Sequence, residues 1–304
     1  MASANGMRIR QHGGGTPVLN DWGVNSEYGT LRDVLLGPVD NLTLRETSAV
    51  SRASIRTGQS LDRDVAKRQY AEVISAYEDA GVTVHAMEPD ETLTMHMYAR
   101  DSSFMTPYGA VITQLAHWWR RGENFRVLEF YMNAGIPIYD IVTAGTFEGG
   151  DFNVIEPGCL LLGCGGERTQ IEAAEQVKGW FEAEDWEVRL ALFDPFYVHI
   201  DLMVCMLAEK IAAVCLDCTE PGIVQWLKDK NIEIIPVSFQ DTMTLGCNVV
   251  SMGDHRILST AASKDLNDKL RANGFTVYDP EVDMLTRCGG GVHCMAMPLR
   301  RDPV

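Results

Sequence analysis

Five polar residues recur along this 304-residue chain at near-constant intervals: Asp101, Asp151, Asp201, Asn248 and Cys294 are separated by 50, 50, 47 and 46 positions. A period near 50 marks a repeat architecture. The first four anchors each lead into two apolar runs split by a short turn. Asp101 precedes Phe104-Met105-Thr106, a turn at Pro107-Tyr108-Gly109, and then Ala110-Val111-Ile112-Thr113. Asp151 precedes Phe152 to Ile155, a turn at Glu156-Pro157-Gly158, and then Cys159 to Gly163. Each reads as a β-hairpin entered through a polar residue. Between hairpins lie helical patterns, as over 168–183 and 220–230, followed by short apolar strands such as 232–237. The N-terminal part adds a strand over 31–38, a helix over 64–80 and a strand over 82–85. The fold class is α/β, with about five strand-strand-helix-strand modules set around an axis and the polar anchors facing inward.

No linker divides the modules, so residues 21–304 read as a single catalytic domain preceded by a flexible arm over 1–20 that contains Gly13-Gly14-Gly15. No apolar stretch approaches the roughly 18 residues of a membrane span, and the start lacks a basic segment followed by an apolar one. The expected location is cytoplasmic. The eight cysteines are scattered, and Cys215 and Cys218 have no second pair to complete a zinc site, so they read as reduced thiols. A net charge of −16 argues against nucleic acid or an anionic membrane as partner and favours a cationic small molecule.

The run Cys288-Gly289-Gly290-Gly291-Val292-His293-Cys294 delivers a cysteine through three glycines, which suits close backbone approach at a site floor. A thiol nucleophile needs a proton-transfer partner, and His199 with a carboxylate such as Glu148 supplies one. Two further carboxylates match a planar cation, because a guanidinium presents paired N–H donors. Cys294, His199, Glu148, Asp101 and Asp201 together point to attack on a guanidinium carbon.

At these residues the chain resembles the guanidine-modifying enzyme superfamily: arginine deiminases, dimethylarginine dimethylaminohydrolases, agmatine and peptidylarginine deiminases, and amidinotransferases. The motifs are Arg100-Asp101 before a strand, Glu148-Gly149-Gly150-Asp151, His199-Ile200-Asp201 and Gly289-Gly290-Gly291-Val292-His293-Cys294, in the family's order. Asn25 to Leu36 also looks like the family's first strand. The resemblance implies a five-bladed pseudo-symmetric α/β propeller of ββαβ-type modules with substrate in its central channel, and no metal or organic cofactor. It implies that Asp101 and Asp201 grip the guanidinium, that Glu148 pairs with His199 and helps hold the substrate, and that Cys294 is the nucleophile. Asp151, Asn248 and His293 are expected to line the site. Relatives are often dimers or higher, so a homo-oligomer is possible.

Two departures bear on substrate choice. Ala296 stands where many relatives carry Thr, and the chain has no room for the helical insertion of the longer arginine deiminases. The segment Trp118-Trp119-Arg120-Arg121 lies where relatives often supply a substrate-binding arginine, so Arg121 or Arg120 is expected at a substrate carboxylate and the tryptophans beside a cation. The leading expectation is a cysteine-dependent hydrolase of a guanidino, amidine or ureido C–N bond through a thiouronium on Cys294. The alternative is an amidinotransferase that passes the group to an amine. A non-catalytic cation-binding cup is disfavoured by the presence of both Cys294 and His199.

Overall fold

The computed structural model describes residues 18–19 and 21–304. The expected loose arm falls mainly outside these residues, but Val18 is docked and donates its N–H to Pro107 O at 2.7 Å. The strands, in chain order, are β1 (Leu31–Leu36), β2 (Thr83–Ala86), β3 (Ser103–Thr106), β4 (Gly109–Ile112), β5 (Ile138–Ile141), β6 (Phe152–Glu156), β7 (Cys159–Cys164) and β8 (Glu187–Leu192). They continue with β9 (Val204–Ala208), β10 (Ile211–Cys215), β11 (Glu233–Val237), β12 (Val250–Gly253), β13 (Arg256–Leu258), β14 (Thr276–Tyr278) and β15 (Ala296–Arg301).

These strands form five three-stranded sheets with one shared plan, an antiparallel pair plus a parallel outer strand. A parallel neighbour cannot be reached by a tight turn. Each sheet therefore sends its middle strand through a crossover helix: Arg63–Asp79, Glu123–Ala134, Ile171–Glu182, Pro221–Asp229 or Lys264–Ala272. Middle strands such as β4 and β7 are buried at every position, so they read as unbroken apolar runs, whereas the outer β8 is partly exposed. The fold is a five-bladed α/β propeller.

Closure of the ring uses both ends of the chain. β15 pairs antiparallel with β1, Leu36 facing Ala296 and Val34 facing Pro298, so the last strand completes the first blade. Arg301, fully buried, anchors the join by donating to Gly29 O at 2.7 Å. Adjacent blades lock through stacked aromatic rings, with Phe104 of β3 and Phe152 of β6 at a centroid distance of 4.0 Å.

The anchors do not lie in the strands they precede. Asp101, Asp151 and Asp201 sit on short 3-10 turns, Ala99–Ser102, Gly149–Asp151 and Ile200–Leu202, and Cys294 sits on the helical turn Val292–Met295. A tight turn before each inner strand lets a polar side chain face its neighbours near the axis instead of the apolar sandwich between sheet and helix. No helix among the described residues is long and apolar enough to cross a membrane.

Candidate active site

The turns bring the chemistry together at the axis. Cys294, His199 and Asp101 line one cavity, which is walled in addition by Thr47, His117, Arg120 and Arg168. Cys294 is 6% exposed and His199 3%. The approach to Cys294 needs its glycines: Gly289 has φ +99, a region that L side chains rarely adopt, and a side chain there would strike Ser48.

Asn248 holds the nucleophile's turn in place. Its Oδ1 accepts the backbone N–H groups of His293 and Cys294 at 3.1 and 3.2 Å, while its Nδ2 donates to Asp201 O at 3.2 Å. Asp201 Oδ2 lies 3.6 Å from Cys294 Sγ and 2.8 Å from His293 Nδ1. Burial, and then the Asp201 and Asp101 carboxylates, push the Cys294 thiol well above its ordinary range.

His199 has the opposite balance. Its Nε2 meets Glu148 Oε2 at 2.9 Å, and its Nδ1 faces Asp101 Oδ1 at 3.7 Å. Burial by itself would lower the imidazole, but Asp101, Asp151 and Glu148 outweigh it and raise its pKa to about 9. The same Glu148 oxygen accepts from Arg168 Nη1 at 2.9 Å, and its other oxygen accepts from Ala116 N at 3.1 Å. Burial works against the Glu148 anion, yet Arg168 and then His199 hold it well below the carboxylate range. The segment leading into His199 is strained. Val198 has φ 65 and ψ −65, and His199 N donates to Tyr197 O at 2.7 Å, a γ-turn of the rarer hand that presents Val198 to the cavity wall.

The other expected residues take varied places. Asp101 Oδ2 accepts from Arg120 Nη1 at 2.7 Å, while its Oδ1 is buried with no hydrogen-bond donor among the described residues. Asp201 Oδ1 is buried in the same condition. Asp151 lies beneath His199 and accepts Ile200 N at 2.9 Å through Oδ1. Burial pushes its pKa up to about 6. His293 is held between Asp201 and Glu27, its Nε2 3.8 Å from Glu27 Oε2. Asp151, Asp201, Asn248 and His293 thus stand a layer below the cavity wall instead of forming it.

The arginine expectation needs correction. Arg121 is exposed, donates to Leu115 O at 3.2 Å, and lies off the cavity. Arg120 does line the cavity, but it is 2% exposed and spans Asp101 and Glu123 at 2.7 and 2.8 Å. Its fork is committed to the protein's own carboxylates. The tryptophans are likewise engaged elsewhere or open: Trp119 stacks on His117 at 5.1 Å under the Arg45 guanidinium, and Trp118 is 78% exposed. Sequence reasoning gave no role to Arg168 or Thr47. Arg168 ties Glu148 to the loop at Thr47, donating to its carbonyl at 2.6 Å.

One ligand atom each from Asp101, Glu148 and His199 falls within 4.8 Å of the others, the spacing of a potential metal site. Arg120 and Arg168 already neutralise the two carboxylates, so their charge would oppose a divalent ion there. The donor set suits N–H groups better.

Solved structures share this propeller fold. A crystal structure of the Pseudomonas aeruginosa dimethylarginine dimethylaminohydrolase, a mutant complexed with citrulline, is similar with a TM-score of 0.73 at 20% identity, covering 88% of this chain and 99% of that one. The amidinotransferase SxtG of Microseira wollei is similar with a TM-score of 0.79 at 16% identity, covering 93% and 98%. Residues 41–301 match the family described as N,N dimethylarginine dimethylhydrolase, eukaryotic, and the chain belongs to that family. Among curated proteins, the uncharacterized YkgA of Bacillus subtilis (strain 168) is 25% identical over 276 residues, 91% of this chain and 94% of that protein.

Proposed function

We propose that the protein hydrolyses a C–N bond of a guanidino compound through a covalent adduct on Cys294. The observation that carries this reading is Asp101 Oδ1, a carboxylate oxygen of the cavity that Cys294 and His199 also line, buried with no hydrogen-bond donor among the described residues. A buried acceptor without a donor is costly, and a planar cation with N–H groups offsets that cost.

The cation also activates the nucleophile. Its positive charge beside Cys294 favours the thiolate, and Asp201 Oδ2, 3.6 Å from the sulfur, accepts the displaced proton. Sulfur attacks the guanidinium carbon, forming a C–S bond. His199, charged at neutral pH, gives its proton to the departing nitrogen as the C–N bond breaks. A thiouronium remains on Cys294. The now neutral His199, oriented by Glu148, takes a proton from water, whose oxygen attacks the same carbon. The C–S bond then breaks and the sulfur recovers its proton.

Amidino transfer would share the first half and replace water with an amine. The division is tested by supplying guanidino compounds in oxygen-18 water with and without glycine or ornithine. Label in the urea or ureido product, with no new guanidino compound, supports hydrolysis. Transfer with little label would overturn it.

A further inference from the structure

The cavity holding Cys294 does not stand alone. A second, small cavity abuts it, and Ser48, Val198, Leu202 and Gly289 line both spaces. The far wall of the second cavity is made by Val50, Phe196, Tyr197, Met243 and Leu245, and no charged side chain lines it. Phe196 is 42% exposed, and Val50, Val198 and Met243 are partly exposed, so the apolar surface is reached from solvent. Neither arginine of the catalytic cavity is free to take a carboxylate. Of its arginines, Arg120 is spanned by Asp101 and Glu123, and Arg168 by Glu148 and the Thr47 carbonyl.

We propose that this second cavity is a tail subsite for an apolar N-substituent, so that the preferred substrates are guanidines bearing an alkyl or aryl group in place of an amino acid's charged tail. The proposal rests on the guanidino reading of the Cys294 cavity. The occupant follows from continuity: a planar head seated on Asp101 has the Val198–Leu202 wall beside it, and beyond that wall lies an uncharged pocket. Val198 is the shared partition. The strained γ-turn that holds it keeps a branched apolar side chain at the junction between the two spaces, with His199 as the next residue. Apolar surface on the tail is then withdrawn from water against Phe196, Met243 and Leu245, while an ammonium or carboxylate on the tail would be desolvated there without a charged partner.

The test measures binding of methyl-, butyl- and hexylguanidine, agmatine and L-arginine to the Cys294→Ala protein by calorimetry, together with turnover of the same compounds by the unmodified protein. Affinity should rise about three- to fourfold per methylene across the alkyl series, the increment expected for burying each CH2. Butylguanidine should bind more tightly than agmatine, which carries an ammonium on a tail of similar length. Met243→Glu and Phe196→Ser, each at a partly exposed position, should flatten the series. A series flat with chain length in the parent protein, or tighter binding of arginine or agmatine than of butylguanidine, overturns the tail subsite whichever compounds are cleaved. A rising series whose members bind but are never cleaved supports the subsite and overturns the hydrolytic reading instead.

Discussion

Arg120 Nη1 stands 2.7 Å from Asp101 Oδ2, with both side chains almost fully buried, so the carboxylate at the mouth of the nucleophile's cavity already carries an internal guanidinium. Only its second oxygen remains to receive a ligand. The same arginine neutralises Glu123, whose pKa burial nevertheless pushes up to about 7. Arg120→Ala leaves two buried carboxylates without their partner, and the expected loss is about 3 to 5 kcal/mol of stability. Urea unfolding at neutral pH reads it; an unchanged midpoint would show that Asp101 does not depend on Arg120.

His199 predicts a pH dependence with a definite sign. Its pKa in the fold, about 9, lies above the ordinary value of 6.5, so the protonated imidazole stabilises the folded state. That contribution is complete below pH 6.5 and is lost as pH rises through about 9. The stability gap between the parent and His199→Gln should therefore shrink across this window, and the alkaline limb of kcat should fall near its upper end. Glu148→Gln removes an anion beside the ring and should move that limb to lower pH. A gap that widens with rising pH would contradict the assignment.

Gly150 lies directly under the His199 ring: a Cβ added there would stand 2.6 Å from Nδ1. Its backbone φ is ordinary, so Gly150→Ala should fold while displacing the imidazole. A displacement of about 1 Å costs on the order of 100-fold in rate. The expected signature is a large fall in kcat with a near-parental melting temperature. Equal activity of the two proteins would mean that the position of His199 does not limit turnover.

The propeller was legible because its anchors are polar residues that interrupt apolar strands at a fixed period, and the crossover helices fill the intervals. The closeness of Cys294, His199, Glu148, Asp101 and Asp201 was legible in the same way. What was hidden depended on direction and on closure of the ring. Arg120 and Arg121 are neighbours around a 3-10 turn, so one side chain turns inward and the other outward, and composition cannot tell them apart. Asn248 and Asp151 read as possible substrate contacts, but Asn248 Oδ1 is spent on the backbone N–H groups of His293 and Cys294, and Asp151 Oδ1 on that of Ile200. Arg168 and Thr47 reach the site from loops 121 positions apart, a proximity that exists only once the blades have assembled.

The central claim is a covalent bond to Cys294, and rapid quenching during turnover followed by peptide mass spectrometry tests it most directly. With a guanidino substrate, a mass addition equal to the amidino group, with or without its retained substituent, should map to the peptide holding Cys294. It should be absent from Cys294→Ala, which should neither turn over nor label. Turnover by Cys294→Ala, or an adduct on any other residue, would contradict the account.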